Sequence, residues 1–229
     1  MSYAQFIKNR REKLGLTYDE MAKMSDMSRS SYFALERGDK KLSLEQAVQL
    51  AKIFGVDVGH LLTGMVPNND KYRQMILAFL RKAKEGKTSL KKTKLAKLLY
   101  FADFAWYFKY SQSMSGFAYR KIEYGPVPDA YFRVLDEMDE QSRIEIQKKE
   151  IDGRTMYEIS ESFVSEIEDL NLLSKEELVL IDSIWGKWKD KNTSQIVQYT
   201  HNQFPYKNVE MDQIIPYELI KQEKPEYIY

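Results

Sequence analysis

The chain has 229 residues, room for one or two domains, and 43% of them are hydrophobic, with 16 Tyr and 11 Phe, which excludes a chain too polar to order itself. It has no cysteine, so it can hold neither a disulfide framework nor a thiolate metal site, and the opening MSYAQFIKNR carries no apolar signal core. The densest apolar run, Leu98 to Phe108, is interrupted by Asp103 and falls short of the ~18 residues of a membrane helix, so a cytoplasmic protein with no membrane segment is expected. The net charge of +1 hides a segregation: residues 1–65 carry ten basic and eight acidic side chains (+2), residues 66–110 eleven and three (+8), and residues 111–229 fourteen and twenty-three (−9). A basic block of this kind holds phosphates or an acidic partner, or is a solvated helix face.

In chain order, Ala4 to Leu14 reads as a helix with Phe6, Ile7 and Leu14 inward, closed by Gly15. Thr17 with Glu20 is a capping box opening a short second helix that runs to Met24, because the hydroxyl accepts from the third helical amide while the carboxylate reaches back. Ser25, Asp26 and Met27 form a turn, Ser28 caps a third helix with Tyr32 and Leu35 inward, and Gly38 ends it. Ser43 with Gln46 is a second capping box, followed by Ala47, Leu50, Ala51 and Phe54 at helical spacing up to Gly55. Asp57 is placed to cap a fifth helix, Val58 to Leu62.

The ordered set LGLT, MA, SRSSY, LERG, SLEQ and LAKIFGV resembles the XRE family of helix-turn-helix domains over roughly 60 residues. The resemblance implies a five-helix domain over residues 1–65 that docks on duplex DNA as a homodimer, with the start of the third helix in the major groove. It places Ser28, Arg29 and Ser30 at base edges, with Ser31 and Ala34 close behind. An Arg at position 29 can donate two hydrogen bonds to a guanine edge or contact a phosphate. Arg37, Lys40 and Lys41 fall where relatives meet the backbone, either as phosphate contacts or as ordinary surface charge. Arg11 and Glu36 align with a buried ion pair between the first and third helices. Two positions depart from the pattern: Tyr18 stands where many members carry a DNA-touching Gln, and Phe33 lies on a face that is usually polar, where it either presses on a thymine methyl or packs against a partner.

Gly64 to Asp70 (GMVPNND) is turn chemistry, and the linker is placed at residues 66–71. A helix is expected from Asp70 to Ala83, with Tyr72, Met75, Ile76, Phe79 and Leu80 on one stripe, and Thr93 to Phe108 is apolar nearly all round, as a central buried helix should be. Asp103 inside it must be paired or hydrogen-bonded, since an isolated carboxylate there costs several kcal/mol. Phe117 to Tyr124 favours a strand, Pro128 suits the first turn of a helix with Tyr131, Val134, Leu135 and Met138 inward, and Arg143–Ile151 and Arg154–Ile159 flank the hairpin signal Asp152-Gly153. Helices resume with Phe163, Ile167 and Leu170 inward, then from a Ser174/Glu177 capping box with Leu178, Ile181, Trp185 and Trp188. The fold class is therefore mainly α: a helix-turn-helix domain, then an α+β domain of several helices with a small antiparallel sheet.

Three segments, KLAKLLYFADF (Lys94 to Phe104), SGFAYRKIEYGPVP (Ser115 to Pro128) and THNQFPYK (Thr200 to Lys207), resemble the Panacea, or SocA-like, antitoxin domain, assigned here to residues 72–229. The third match is partial, with Gln203 and Tyr206 where members commonly have Glu and Trp, which leaves the role of His201 open. The resemblance implies an antitoxin that binds a cognate toxin protein and represses its own operon. A prophage-type repressor without a toxin, and an adaptor handing a toxin to a protease, are the alternatives. Tyr100, Asp103, Tyr119, Tyr124 and Tyr206 accompany the motifs and are candidate toxin contacts if exposed, since tyrosine is favoured at interfaces, with core packing as the other role.

No enzyme, cofactor or metal is expected. Gly86-Lys87-Thr88 has Arg81 where a phosphate loop needs its first glycine, and there is no dinucleotide fingerprint. His60 and His201 stand in different domains without carboxylates at ligand spacing.

Overall fold

The computed structural model describes residues 3–56, 58–63, 66–151 and 153–229, and for His60, Thr63, Ile151 and Arg154 the backbone alone. The caps expected from Asp57 and the first turn residue Asp152 lie outside the described residues, as do Gly64 and Met65. The chain divides into two compact units, Met1–Val66 and Pro67–Tyr229. Among the described residues there are eleven α-helices and six strands, and no helix is long and apolar enough to cross a membrane.

The first unit is helical: α1 (Tyr3–Lys13), α2 (Tyr18–Met24), α3 (Arg29–Arg37), α4 (Leu44–Phe54) and α5 (Val58–Thr63). Both capping boxes form as the spacing requires, Thr17 accepting from Glu20 N and Ser43 from Gln46 N, each with its partner side chain returning to the cap. Gly15, Gly38 and Gly55 all take positive φ, the left-handed closure for which glycine carries no Cβ penalty. Ile7, Met21, Tyr32, Leu35, Leu50 and Leu61 make the core. Leu14, expected inward, is exposed. It lies one residue beyond α1, and the Gly15 turn brings Leu16 onto the core in its place.

α1 and α3 are joined by a buried fork. Arg11 Nε and Nη2 donate to Glu36 Oε1 and Oε2 at 2.7 and 3.0 Å, and Nη1 reaches the Leu16 carbonyl at 3.0 Å. The Glu36 partnership holds the Arg11 guanidinium charged, raising its pKa. The ring of Tyr18 lies 4.2 Å below the same guanidinium.

The second unit is built around α7 (Lys92–Tyr110), buried nearly all round. Before it come α6 (Asn69–Glu85), capped by Asn68, and β1 (Leu90–Lys91). After it come β2 (Tyr119–Arg120), β3 (Val127–Pro128), α8 (Tyr131–Glu140), β4 (Ile144–Ile151), β5 (Arg154–Glu161), α9 (Lys175–Trp188), α10 (Thr193–Asn202), α11 (Phe204–Lys207) and β6 (Ile214–Ile215). Two antiparallel sheets of three strands each form, ordered β1-β5-β4 and β3-β2-β6. The expected hairpin pairs β4 with β5, Ile144 opposite Glu161 through Ile151 opposite Arg154, and Gly153 takes positive φ.

Four expectations are corrected here. Pro128 sits in β3, opposite Tyr119, and the helix starts only at Tyr131. The strand expected over 117–124 shortens to Tyr119–Arg120, because the amide of Gly125 turns back to the Ile122 carbonyl. Residues 163–165 make a single 3-10 turn rather than a helix, and Phe163 and Ile167 face solvent. The reason is local: Ser165 Oγ bonds the carbonyls of Arg143 and Ser162, a serine competing with the helical ladder for backbone partners. Finally, five of the eleven basic residues of the 66–110 block pair with carboxylates of their own unit. Lys71 pairs with Glu177 (2.6 Å), Arg73 with Glu137 (2.6 Å), Arg81 with Glu161 (2.9 Å), Lys82 with Asp182 (2.8 Å) and Lys84 with Glu166. The +8 and −9 segments are two halves of one fold.

Removing one partner of a buried ion pair strands the other charge at a cost of about 3–5 kcal/mol. Glu36→Ala should therefore lower the first unit's unfolding free energy, measured by urea titration, by that amount, with Arg11→Ala close to it. A change below about 0.5 kcal/mol, the level of an exposed pair, would show that the fork contributes nothing to the fold.

Candidate nucleic-acid interface and the buried motif cluster

The helix-turn-helix pair presents its expected contacts at the start of α3. Ser28 is extended (φ −69°, ψ 150°) and its Oγ accepts from Ser31 N at 3.1 Å, which starts the helix and leaves Arg29 and Ser30 on its exposed first turn. Arg29 Nε lies 3.2 Å from Asp19 Oδ1 on α2, and both side chains are solvent-exposed. Such a pair is worth at most about 1 kcal/mol, so it orients the guanidinium without locking it. Sequence reasoning missed Asp19, whose signal was an acidic residue in the first turn of the neighbouring helix.

Around this point the other candidates divide by burial. Lys40 Nζ donates to Ser31 Oγ at 3.1 Å, bending the segment after α3 back towards the start of that helix, while Lys41 is exposed. Ser31 and Ala34 are half-buried. Arg37 pairs with Asp39 at 2.9 Å and its guanidinium lies 5.7 Å over the Phe33 ring. Phe33 is 43% exposed and packs edge-on against Tyr18, ring centroids 5.3 Å apart. The two departures from the XRE pattern are thus one feature. Tyr18, held between Arg11 and Phe33, props an apolar ring at the edge of the recognition surface.

In the second unit the three motif segments converge on α7. Lys97 is 1% exposed and donates from Nζ to the Pro126 carbonyl at 2.9 Å. Burial pushes its pKa down to about 7. Gly125, at φ +91°, lies so close that an added Cβ would sit 2.8 Å from Lys97 Cε and 2.9 Å from Thr200 Oγ1, so only glycine fits. Tyr206 OH donates to the Ile122 carbonyl (2.8 Å), and His201 stacks on the Tyr206 ring at 4.4 Å. Burial and the nearby cations of Lys97 and Lys121 pull the His201 pKa down. Gln203 Nε2 holds the carbonyls of Tyr227 and Ile228 at 2.7 and 2.8 Å.

Asp103, expected to need partners, has four donors: Ser113 Oγ (2.7 Å), Ser115 N (2.8 Å), Ser115 Oγ (2.5 Å) and Tyr119 OH (2.8 Å). Burial raises its pKa, and these hydrogen bonds pull it part of the way back. Tyr100 packs on Phe104 and Tyr119 inside the unit. Tyr100, Asp103, Tyr119 and Tyr206 are therefore interior residues, and their place as surface contacts for a partner is corrected. Of the five candidates only Tyr124, 62% exposed, reaches solvent. The motif is a packing knot, and among the described residues no cluster of His, Asp or Glu is arranged to hold a metal ion.

Residues 7–61 match the family model for the helix-turn-helix domain, which is the class that α2, the turn at Ser25–Met27 and the Ser28-capped α3 define. Residues 95–206 match the model described as Antitoxin SocA-like, Panacea domain, a span that takes in α7, the Gly125 turn and the Thr200–Tyr206 segment. The chain thus joins an XRE-type helix-turn-helix domain to a SocA-like Panacea domain. No curated protein and no solved structure gives a significant match.

Lys97 provides a pH test of the knot. Its folded pKa, about 7, lies below the ordinary lysine value of 10.5, so between those pH values the unfolded chain holds a proton that the folded one has lost. Stability must then rise with pH through that window. From pH 7 to pH 9 the unfolding free energy of the natural protein should climb relative to that of Lys97→Met, whose curve lacks this contribution. Parallel curves would mean that Lys97 stays charged in the folded state.

Proposed function

We propose that this chain is a cytoplasmic antitoxin and autorepressor. Its second unit, which begins at Pro67 with α6 following from Asn69, binds and silences a cognate toxin protein, while residues 1–65 occupy the operator of the shared operon as a homodimer. The observation that carries the DNA half is the cap geometry of α3, in which Ser28 Oγ takes the Ser31 amide and leaves Arg29 exposed on the first turn. An arginine there can reach both acceptors of a guanine edge in the major groove. Ser30 stands beside it, with Ser31 and Ala34 behind, and Tyr18 and Phe33 offer an apolar edge suited to a thymine methyl. Arg37, Lys40 and Lys41 supply phosphate contacts, which add affinity in every sequence alike and weaken with salt. The toxin half is supported by the match to the SocA-like antitoxin family. The role requires no catalysis, only two recognition surfaces.

Two measurements test this. Purified protein should bind its own upstream sequence at low ionic strength, and Arg29→Ala should weaken that binding by about 1–3 kcal/mol while sparing non-specific DNA. Lys40→Ala should weaken both and lower the salt slope by about one. Equal effects of the two substitutions on operator and random DNA would overturn the assignment of Arg29 to base reading. Second, the adjacent reading frame should encode a protein that stops growth when expressed alone and is neutralised by co-expression of this chain. An adjacent product without effect on growth would overturn the antitoxin role.

A further inference from the structure

The turn between β5 and α9 carries three large apolar side chains in water: Phe163 at 82% exposure, Val164 at 59% and Ile167 at 88%. Apolar residues on a loose loop would be unremarkable, but this backbone is bolted down from beneath. Arg81 Nη2 takes the carbonyls of Ser165 (2.8 Å) and Glu168 (2.7 Å) while its Nε binds Glu161. Ser165 Oγ holds the Arg143 carbonyl at 2.6 Å, Arg143 pairs with Glu168, and Gln74 Nε2 takes the Asp169 carbonyl at 3.0 Å. A fixed backbone that directs three apolar side chains outward has already lost most of the entropy that binding would otherwise cost.

The unpaired charge that rims them is acidic. The cations beside the turn are turned inward or already paired: Arg81 with Glu161, Arg143 with Glu168, Lys84 with Glu166. A shallow depression next to Phe163 and Val164 is lined by Asp139 and Glu145, and neither has an ion-pair partner among the described residues. The unpaired charge lining this depression is therefore acidic, which disfavours nucleic acid and favours a cationic protein surface.

We propose that Phe163, Val164 and Ile167, with Asp139 and Glu145 at their rim, form the docking surface for a basic protein, the toxin of the reading above on which this inference rests. Phe163 and Ile167 are the anchors that enter an apolar cleft of the toxin, and its lysines and arginines meet the two carboxylates. This surface takes the place of the buried Tyr100, Asp103, Tyr119 and Tyr206 as the one that faces the partner.

The test uses the full chain and the product of the adjacent reading frame, with binding measured by titration calorimetry and neutralisation by growth rescue. Phe163→Ser combined with Ile167→Ser should weaken the complex roughly 30-fold or more, as loss of interface anchors does, with the thermal midpoint and operator binding unchanged because both side chains are already in water. Val179→Ser, at a residue 67% exposed on α9, is the control and should change nothing. Glu145→Lys should slow association and flatten its salt dependence. Wild-type binding with an unaffected double variant overturns this surface and leaves the antitoxin reading standing. Failure of the wild-type chain to bind the adjacent product overturns both. A double variant that still binds the toxin but changes the sedimentation of the free protein assigns the patch to self-association and overturns the proposal.

Discussion

A helix surrounded by protein on every side has no water to satisfy its polar side chains, and in α7 this constraint determines what wraps around it. Lys94 Nζ takes the carbonyls of Lys189 and Lys191, where α9 ends and cations are favoured. Lys97 takes the Pro126 carbonyl, Asp103 gathers Ser113, Ser115 and Tyr119, and Tyr107 donates to Glu218. Each of these four side chains therefore specifies one neighbouring segment, and together they locate the end of α9, the Gly125 turn, the start of β2 and the closing 3-10 turns. The apolar faces supply most of the stabilisation, but being non-directional they would accept many registers. The polar groups accept one, because any other leaves a charge buried and unpaired.

The first unit solves a smaller version of the same problem. Arg11 presents five donors in a rigid fork, of which Glu36 and the Leu16 carbonyl take three, so α3 is held against α1 in one rotation. Its flat face then supports Tyr18, and Tyr18 supports Phe33. A pair that touches no ligand thus governs the aim of the exposed first turn of α3, where Arg29 stands.

What could be read from the sequence follows from how local each signal is. The Thr17, Ser43 and Ser174 capping boxes are each closed within four residues, and all three form. The same chemistry at Asn192 and Gln195 was present in the sequence and passed over, since asparagine serves as well as serine at a cap. The β4–β5 hairpin follows from its turn and alternation. The motif tyrosines were harder, because whether a tyrosine faces a core or a partner depends on which distant segment covers it. Tyr119 is hidden by its contacts with Asp103 and Tyr217, neither of which is predictable from local spacing. Phe163 and Ile167 misled in the opposite direction: their spacing fits a helix face, but the serines at 162 and 165 tie the backbone into a turn that leaves both outside.

Charge was the least transparent signal of all, because a sequence gives its sign but not the direction in which it points. The block of eleven basic residues before position 110 has the composition of a phosphate-binding patch, yet Lys71, Arg73, Arg81, Lys82 and Lys84 all end on carboxylates of the later segment. Three of these pairs are half-buried, with Glu177 and Glu161 almost out of solvent, while those of Lys82 and Lys84 lie at the surface, where each contributes little to stability. Their larger consequence is electrostatic: each of these carboxylates offsets a cation that would otherwise add to a field attracting nucleic acid indiscriminately. Among the side chains without an ion pair, Asp139 and Glu145 stand beside the fixed apolar turn.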